Sequence, residues 1–546
     1  MKSARIQSAG LLVLVLFLFG SSRASDPGAS AGGNLGIGAN FRLYPSTTTQ
    51  TETFIVRHPH DPTILFASAN TIVLSTGFIS EGIYVSTDAG TTWSGNDTCN
   101  GAILTFHRGD PGIAIDRNGR FILIRLGNTP GLYSHYSTDN GETWSSQRTI
   151  AMGDQDRATL ASDGNPGSPY YGRSYAVWVQ FSLPYPLLFS YSDDGAANWI
   201  TPAQINNPPP QRCVGGEVAI ATDGTVIVCW AGALPASPFT EDYAGFASST
   251  DGGISWTVLQ NAFDMNGIMG TFPQKANIRV NGLPRIAIDN SGGSRDGWIY
   301  IVSGEKNIAP AGSDADILLH RSTNGGLTWS AGVRVNQDAV NNGKLQYFPA
   351  IHVDGGGGVN ALYYDDRNTT SDSAAVFLSR STDGGVTWDD YQVSDHTFQP
   401  LPIGGLGQGY QGDNIGMTSV GDTLWPVWMD NSTGIYQIWT CPIDLSDLGT
   451  SVDEEPGLPL TTGLMQNYPN PFNAETEIRF RITDYGFVRL EVADVLGREV
   501  ATLVNEKLGP GTYRRHWSAQ GLPSGVYFYK LKTEGFTESK KMLYLR

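Results

Sequence analysis

The sequence predicts an all-β protein: a β-propeller with seven blades, or alternatively six, followed by a small Ig-like β-sandwich. Its 546 residues are 40% hydrophobic and only 16% charged, and they include 66 glycines, a composition typical of strands joined by tight turns. The octapeptide STDNGETW at 137–144 is one of six copies that differ by small changes. Near the C-terminus the sequence changes to segments of alternating polar and apolar residues, as in EIRFRI and VYFYKLK.

The first 24 residues have the features of a signal peptide. Lys2 and Arg5 precede an apolar run from Gly10 to Gly20, and Ser22-Arg23-Ala24 supplies small residues for cleavage. The apolar run is shorter than the roughly 20 residues that span a bilayer, and nothing later in the sequence approaches that length. We therefore expect an exported protein with no membrane-spanning segment.

The net charge and the cysteine spacing limit which ligands the protein is expected to bind. A formal net charge of −17 argues against nucleic acid, since nucleic-acid binding needs a cationic surface. The spacing of the four cysteines matches no metal-binding pattern, and export permits disulfides, so paired and free thiols both stay open. The cysteines are Cys99, Cys213, Cys229 and Cys441. We expect a monomer.

The octapeptide sets the repeat of the main domain. Its copies start at intervals of 51, 55, 57, 73 and 59 residues. A unit of this size that holds several strands is the mark of a propeller blade. The starting residues are Ser86, Ser137, Ser192, Ser249, Ser322 and Ser381.

Each residue type in the octapeptide has a structural role. Ser and Asp accept hydrogen bonds from turn amides, Gly adopts a positive φ, and Trp packs beneath the hairpin. The pattern S-x-D-x-G-x-x-W resembles the Asp-box, or BNR repeat, of sialidase-like propellers. The third copy has Ala196 in place of Gly and the fifth has Asn324 in place of Asp. The structural Asp-box positions are Asp88, Asp139, Asp194, Asp251, Asn324 and Asp383.

The segments around each box predict four strands per blade. Two apolar strands precede the strand that enters the box, as in GIAID and FILIRL. After the sixth box the pattern restarts with NIGMTSVGD, TLWPVWMD and IYQIWTCPI but lacks a fourth strand. We predict that NFRLYPS at 40–46 supplies that strand and closes the ring, so the propeller spans 40–445.

The tail predicts how the protein leaves the cell. After a Pro-bearing linker at 446–463, residues 464–546 carry YPNPFN, DVLGREV, LPSGVYFYKL and KMLYLR. These motifs closely resemble the type A C-terminal sorting domain of the type IX secretion system. The resemblance implies recognition by that translocon and an extracellular or outer-membrane-surface location. The alternative is a carbohydrate-binding or adhesive sandwich.

The propeller rim opposite the boxes holds the candidate functional residues. Polar side chains that enter first strands or leave second strands should meet there, and they could bind sugar hydroxyls or Ca²⁺; no other cofactor is indicated. Those before first strands are Glu52, Asp110, Asp154, Asp156, Arg157, Glu217, Gln346, Tyr347 and Asp413. Those after second strands are Arg125, Glu305, Lys306, Asp365, Asp366, Arg367, Asp430 and Asn431.

The sialidase resemblance also implies which types of side chain this rim should hold. It implies three arginines on the substrate carboxylate, a Tyr nucleophile paired with Glu, and an Asp acid/base. Arg157, Arg285 and Arg367 are possible clamp residues, and Tyr347 or Tyr364 with Glu217 is a possible nucleophile pair. The catalytic candidates are Glu217, Asp156, Asp365, Asp366 and Tyr347. The ligand-binding candidates are Arg157, Glu217, Arg367, Asp413 and Asp430.

Two functions therefore stay open. A secreted or surface propeller that binds glycan or protein ligands through this rim needs no paired carboxyl groups. A glycoside hydrolase, of exo-sialidase type or acting on a related polysaccharide, needs two carboxyl groups about 5 to 9 Å apart in one pocket. Motifs for serine, cysteine or zinc catalysis are absent from the sequence.

Overall fold

The computed structural model describes residues 35–99, 107–207, 212–404, 409–446 and 462–545, the last range with gaps at 466, 468–469, 471, 474, 484 and 509–510. The chain divides into two compact units, Met1–Thr450 and Ser451–Arg546. The signal peptide expected at 1–24 and the linker residues 447–461 lie outside the described residues.

Antiparallel sheets of four consecutive strands make up most of the first unit. The chain begins with β1 (Gly36–Ile37) and β2 (Phe41–Arg42). Blade 1 contains β3 (Thr49–Arg57), β4 (Leu65–Val73), β5 (Phe78–Ser86) and β6 (Ser94–Asn96). Blade 2 contains β7 (His107–Ile115), β8 (Phe121–Gly127), β9 (Gly131–Ser137) and β10 (Arg148–Met152). Blade 3 contains β11 (Gln155–Ser162), β12 (Ser174–Gln180), β13 (Leu187–Ser192) and β14 (Ala203–Gln204).

The middle of the chain adds a short insertion to the same pattern. Blade 4 contains β15 (Arg212–Ile220), β16 (Val226–Ala233), β17 (Glu241–Ser249) and β18 (Thr257–Asp264). A two-stranded ribbon follows, with β19 (Gly270–Phe272), a 3₁₀ turn at Pro273–Lys275 and β20 (Ile278–Val280). Blade 5 contains β21 (Arg285–Ile288), β22 (Ile299–Glu305), β23 (Asp316–Ser322) and β24 (Val333–Arg334). Blade 6 contains β25 (Gln346–Val353), β26 (Val359–Asp365), β27 (Ala375–Ser381) and β28 (Asp389–Gln392).

The last sheet joins both ends of the first unit. It contains β29 (Gly416–Val420), β30 (Thr423–Asp430), β31 (Gln437–Thr440) and β32 (Ile443–Asp444). The N-terminal β2 pairs with the outer side of β31, Phe41 opposite Thr440 and Arg42 opposite Trp439. The innermost strands β3, β7, β11, β15, β21, β25 and β29 each contact the next, and β29 contacts β3, so the ring closes. This order fits the seven-bladed prediction and the predicted role of the 40–46 strand.

The core lies between the sheets. Middle strands such as β8 and β16 are buried on both faces, which explains their continuous apolar sequences. Aromatic residues from neighbouring blades stack, as Phe66 of blade 1 does on Phe121 of blade 2 at 4.7 Å between ring centroids. Packing between blades therefore supplies most of the hydrophobic stabilisation.

The Asp-boxes are satisfied turns. In the first box, Ser86 Oγ accepts from the Gly90 amide at 2.8 Å, and Asp88 accepts from the amide and the hydroxyl of Thr92 at 2.8 and 2.6 Å. Trp93 Nε1 donates to the carbonyl of Gly90. A Cβ on Gly90 would lie 2.4 Å from the ring of Trp425 in blade 7. Each box thus packs against the preceding blade.

The two departures from the box pattern keep this geometry. Ala196 adopts a left-handed φ of 67° and its amide donates to Ser192 Oγ at 2.9 Å. Asn324 accepts from the Thr328 amide at 3.0 Å and donates its own amide to the Thr328 hydroxyl at 2.8 Å. Both observations agree with a structural role.

Strand register separates the two ends of each blade. In blade 1, Leu65 pairs with Ser86 where the Asp-box begins, and we call this the box end. Thr49 pairs with Ile72 at the other end, where first strands begin and second strands finish. We call this the cluster end.

The second unit consists of two facing sheets. Its strands are β33 (Gly463–Leu464), β34 (Glu475–Ile482), β35 (Gly486–Asp494), β36 (Glu499–Leu508), β37 (Gly511–Ser518), β38 (Gly525–Thr533) and β39 (Phe536–Tyr544). One sheet has the order β33-β34-β37 and the other β36-β35-β38-β39. Alternate residues such as Ile478, Leu490, Tyr529 and Met542 form one core between them, as in a small sandwich.

The described residues include all four cysteines and can be searched for helices that would span a membrane. All four cysteines are buried and free, so the structure contains none of the disulfides that the sequence left open. In the described part of the chain there is no helix both long and apolar enough to cross a bilayer.

Candidate functional site

Backbone strain marks the cluster end of three successive blades. β3, β7 and β11 each carry a bulge near their start. At these bulges Glu52, Asp110 and Arg157 adopt φ values of 54°, 56° and 43°. Non-glycine residues adopt such angles at a free-energy cost, and these outliers concentrate at functional sites. In blades 4 and 6 the corresponding places are taken by Gly215 and Phe348.

The strained residues bring carboxyl groups together. Asn70 Nδ2 donates to Glu52 Oε2 at 2.8 Å, and the Asp110 amide donates to Asn70 Oδ1 at 2.7 Å. Burial, and then the charges of Asp413 and Asp110, raise the pKa of Glu52 well above its usual value. Burial, with the charges of Asp156 and Asp413, raises the pKa of Asp110 to about 7, against an opposing effect from its hydrogen bonds with Asn70 and Glu52. The Glu52–Asp110 pair therefore retains a proton near neutral pH.

A tyrosine lies against this pair. The charge of Glu52, followed by burial and the charge of Asp110, raises the pKa of the Tyr410 hydroxyl. The guanidinium of Arg279 lies 4.5 Å from the centre of the Tyr410 ring. The Tyr410 hydroxyl thus stays protonated within the electrostatic influence of two carboxyl groups, while a cation covers its ring.

Arg157 is the clearest sign of a ligand. Its side chain is buried, with only 8% of the residue exposed, and none of its three guanidinium nitrogens has a hydrogen-bond partner among the residues that the structure describes. Its charge acts on Glu52, Asp156 and Glu217 without a direct hydrogen bond to them. A buried guanidinium without partners is costly, so these donors are positioned for an acceptor that arrives from outside.

Two further arginines border the carboxyl groups. Arg285 Nη2 donates to the Asp413 carbonyl at 3.0 Å and to Asn414 Oδ1 at 2.6 Å. Arg279 Nη2 lies 3.9 Å from Asp413 Oδ2, which accepts from Asn281 Nδ2 at 2.5 Å. The Arg279 side chain is 42% exposed. Arg285 thus donates its hydrogen bonds to a backbone carbonyl and a side-chain amide, whereas Arg279 faces solvent.

Glu217 occupies the channel beneath this group. With Phe54, Ile113 and Thr159 it lines a small cavity between β3, β7, β11 and β15. Burial raises the pKa of Glu217 to about 7, and its Oε2 has no hydrogen-bond partner. Arg285 Nη1 lies 3.9 Å from that oxygen. We call Glu52, Asp110, Asp156, Arg157, Glu217, Arg279, Arg285, Tyr410 and Asp413 the central cluster.

Arg367 and Asp365 are held in a different network. Arg367 Nη2 lies 2.6 Å from Asp365 Oδ2, and its guanidinium also pairs with Asp390 and reaches Asp338 at 3.8 Å. Its plane lies over Phe377. These contacts hold the strands of blade 6 together, and the structure does not bring Arg367 to the three arginines of the central cluster.

Asp366 and Asp430 are likewise used by neighbouring segments. Lys275 Nζ lies 2.8 Å from Asp366 Oδ2, and the buried pair fastens the β19–β20 insertion to blade 6. Asp430 accepts from Trp428 Nε1 at 2.9 Å. It also bonds His396 Nε2 at 3.0 Å, the leading cause that raises the pKa of His396 to about 9. Both carboxylates have structural partners.

The two tyrosines considered as nucleophiles lie in the core. Tyr347 is fully buried, stacks on Tyr364 at 5.3 Å, and has a hydroxyl without a hydrogen-bond partner. The Tyr364 hydroxyl donates to the Met429 carbonyl at 2.7 Å. Burial raises the pKa of both. The tyrosine influenced by a carboxyl pair is instead Tyr410. Glu52, rather than Glu217, is then the candidate carboxyl partner of the tyrosine.

Other rim residues are engaged within or between blades. Arg125 is buried and donates to Gln147 Oε1 at 2.7 Å, and Glu305 accepts from Ser303 at 2.6 Å. Among the described residues no group of three or more His, Cys, Asp or Glu side chains is arranged to hold a metal ion. The Ca²⁺ suggested by the sequence stays a prediction.

Some cluster residues could not be identified from the repeat. Arg279 lies in β20 and Asn281 directly follows it, and the β19–β20 insertion falls in the longest interval between boxes, 73 residues. Tyr410 lies on the loop before β29. The unusual interval was the available signal for the first two residues.

Two segments match described families. Residues 466–544 match the secretion system C-terminal sorting domain, and residues 135–146 match the BNR/Asp-box repeat. The sorting tail and the Asp-box resemblance are therefore confirmed. The protein is a type IX secretion substrate located outside the cell or at its surface.

The chain is also similar to solved structures, though distantly. An ulvan lyase of polysaccharide lyase family PL25 shares 13% identity with a TM-score of 0.49, covering 74% of this chain and 96% of that one. The Penicillium chrysogenum α-L-arabinanase shares 13% identity with a TM-score of 0.42, covering 60% and 94%. The leech intramolecular trans-sialidase shares 13% identity with a TM-score of 0.41, covering 67% and 71%. No curated protein matches the sequence. At these values function must be argued from the site itself.

Proposed function

We propose that this exported propeller binds an acidic glycan at the central cluster and hydrolyses its glycosidic bond. The observation that carries the proposal is that Tyr410, whose ring lies under the Arg279 guanidinium, is close enough to Glu52 and Asp110 for both carboxyl charges to raise the pKa of its hydroxyl. A tyrosine next to one carboxylate, with a second carboxyl group that holds a proton, is the set of groups that a sialidase-type hydrolase requires.

Each group has a defined role in such a reaction. In the starting state the proton shared by the pair lies on Asp110 and Glu52 is ionised, so Glu52 accepts the phenolic proton as the Tyr410 oxygen bonds to the anomeric carbon. The bond from that carbon to the leaving oxygen breaks, and Asp110 donates its proton to this oxygen. Water then displaces the tyrosine oxygen, giving a proton to Asp110, while the proton on Glu52 returns to Tyr410. A pKa of about 7 allows Asp110 to donate and accept in turn near neutral pH.

The arginines indicate that the substrate is acidic. Arg157 presents three guanidinium nitrogens without hydrogen-bond partners, and Arg279 is partly exposed beside Tyr410. A guanidinium binds a carboxylate through two parallel hydrogen bonds, so a sugar carboxylate fits these donors. A neutral sugar would offer the guanidinium nitrogens of Arg157 no charged acceptor.

A second function, glycan binding without hydrolysis, is favoured by one specific observation. Arg285 is already bonded to Asp413 and Asn414, so two of the three arginines remain available for a substrate. Weaker binding of the carboxylate would permit recognition at the cluster while leaving the glycosidic bond poorly placed. This is the binding function that the sequence alone also allowed.

Turnover of aryl glycosides distinguishes the two. The purified full chain is incubated with the 4-methylumbelliferyl glycosides of sialic acid, glucuronic acid and glucose. We expect release from an acidic glycoside, a loss of at least about 100-fold in Tyr410→Phe and Asp110→Asn, and no change in Tyr171→Phe at the box end. Tyr171 is the matched control because its hydroxyl bonds only His60, at 2.8 Å, among the contacts described.

The negative outcomes also separate the proposals. Absence of turnover together with acidic-oligosaccharide binding that requires Arg157 supports the second function. Absence of both turnover and binding contradicts both.

A further inference from the structure

A guanidinium is held among aromatic rings at the cluster end of blades 3 and 4. Arg212 Cζ lies 4.4 Å from the centre of the Tyr185 ring, 4.7 Å from that of Phe239 and 5.0 Å from that of Phe181. Phe181 and Tyr185 meet edge to face at 5.6 Å. We call Phe181, Leu183, Tyr185, Arg212 and Phe239 the aromatic platform.

Strand register puts the platform beside the central cluster. Val179, two residues before Phe181, pairs with Asp156 of the cluster. The Phe181 amide donates to the Asp154 carbonyl at 2.8 Å. Arg212 is the first residue of β15 and pairs with Ala233 at the end of β16, and its charge acts on Asp156. The platform and the cluster therefore share the same end of blade 3.

The apolar part of the platform is exposed. Phe181 is 45% exposed and Leu183 is 84% exposed. Leu234, which follows β16, is also exposed on the neighbouring loop. Isolated exposed apolar residues are common, but several on adjoining loops around a cation mark a binding surface.

Arg212 has no acidic side chain within ion-pair distance in the described structure. Its Nε is buried and has no hydrogen-bond partner. Three rings, rather than a carboxylate, hold the cation, and cation–π attraction fixes the orientation of the guanidinium. Its donors are thus held in place with their hydrogen-bonding capacity largely unused.

We infer that the aromatic platform is a second sugar-binding subsite, which holds a ring of the same glycan whose neighbouring residue occupies the central cluster. The inference rests on the proposed function and extends it from a single terminal sugar to an oligosaccharide. The C–H face of a pyranose stacks on an aromatic ring, and Arg212 donates to the hydroxyl or carboxylate groups at the edge of that sugar. An oligosaccharide fits better than an apolar peptide because the surface combines ring faces with a free guanidinium, next to a site rich in polar groups.

Oligosaccharide affinity tests the inference separately from catalysis. Calorimetric titration uses the full chain carrying Asp110→Asn, so that bound glycan is not consumed. The ligands are a hyaluronan hexasaccharide, cellohexaose, and the monosaccharides glucuronate and sialic acid. Phe181→Ala and Arg212→Met are compared with Phe487→Ala, a matched control because Phe487 is 51% exposed in the sorting unit.

We expect Phe181→Ala and Arg212→Met to raise the Kd of a hexasaccharide about tenfold or more, with monosaccharide affinity and melting temperature unchanged. Phe487→Ala should change neither. Cellohexaose binding that depends on Phe181 would show that stacking dominates, and a loss in Arg212→Met that is confined to hyaluronan would show that Arg212 binds a carboxylate.

The outcomes distinguish this inference from the proposed function. Hexasaccharide binding that is unchanged by both variants but lost in Arg157→Met overturns the subsite and leaves the central site intact. Platform-dependent binding by a wild-type protein without turnover keeps the subsite and contradicts hydrolysis. Failure of both hexasaccharides to bind overturns the subsite.

Discussion

Turns with positive φ occur at both ends of the blades, but the charged side chains in or beside them differ in whether they have hydrogen-bond partners. At the box end, the Asp139 carboxylate accepts from the Thr143 amide and hydroxyl at 2.9 and 2.5 Å and from Ser137 Oγ at 2.7 Å. At the cluster end, Arg157 has three buried nitrogens without partners. One end uses backbone strain to close a turn, and the other uses it to hold guanidinium donors for which the described residues supply no hydrogen-bond acceptor.

This difference separates repetition from function. Six boxes repeat one hydrogen-bonded turn and pack against the preceding blade, so each contributes a similar amount of stability. The bulges repeat as well, but Glu52, Asp110 and Arg157 differ in charge and face a common point. The site in this propeller is therefore best sought where the backbone geometry repeats from blade to blade but the type of side chain does not.

The largest expected effect comes from Asp110→Asn. The substitution keeps the shape of the side chain and removes the proton that the proposed reaction transfers. We expect turnover of the acidic aryl glycoside to fall about 1,000-fold. The melting temperature should stay the same or rise, because one buried carboxyl group among Glu52, Asp156 and Asp413 is removed. A variant that keeps full turnover would exclude Asp110 as the acid.

The next effect is on affinity, through Arg157→Met. Loss of a charge-assisted hydrogen-bonding group should raise KM or Kd for the acidic glycan about 100-fold. Because the guanidinium has no hydrogen-bond partner in the structure, folding stability should not fall with it. Titration and thermal unfolding of the same preparation check both statements. A large loss of stability would mean that Arg157 is structural.

The box end should respond in the opposite way to substitution. Asp139→Ala removes the acceptor for three hydrogen bonds in an exposed turn, which we expect to cost about 1 to 2 kcal/mol of unfolding free energy. Turnover should be unchanged. Asp139→Asn should cost less, since Asn324 already fills this place in the fifth box. Urea unfolding measures the stability differences, and lost activity in a folded variant would contradict a purely structural role.

The smallest expected effect is on the pH dependence of stability. The pKa of Asp110 is raised from its ordinary 3.8 to about 7, so the folded protein keeps a proton that the unfolded chain releases. The stability from this group is fully present below the unfolded pKa and is lost as the pH rises through the folded value. We expect the unfolding free energy to fall between about pH 4 and pH 7, and to fall less in Asp110→Asn. Equal slopes for the two proteins would show that Asp110 does not titrate there.

The sequence predicted those parts of the molecule that repeat. The box copies located the blades, and the missing seventh box pointed to the strand that contains Phe41 and Arg42. Glu52, Asp110 and Arg157 were also identifiable, because they enter first strands at comparable positions. Local pattern sufficed for these features.

The remaining site residues depend on tertiary contacts that no local pattern encodes. Arg279 and Tyr410 come from non-repeating segments that fold over the cluster end. Arg367 and Asp366 have the same polar surroundings in the sequence as Arg157, yet they are consumed by ion pairs with Asp390 and Lys275. Whether a rim charge is paired or free is decided by side chains far away along the chain.

A crystal structure of the Asp110→Asn protein with a bound hyaluronan hexasaccharide or sialyllactose would locate the ligand directly. A sugar carboxylate should lie within hydrogen-bonding distance of the Arg157 guanidinium, with the anomeric carbon facing the Tyr410 hydroxyl. Ligand bound only at the box end, or well away from Arg157 and Tyr410, would contradict the assignment of the central cluster as the functional site.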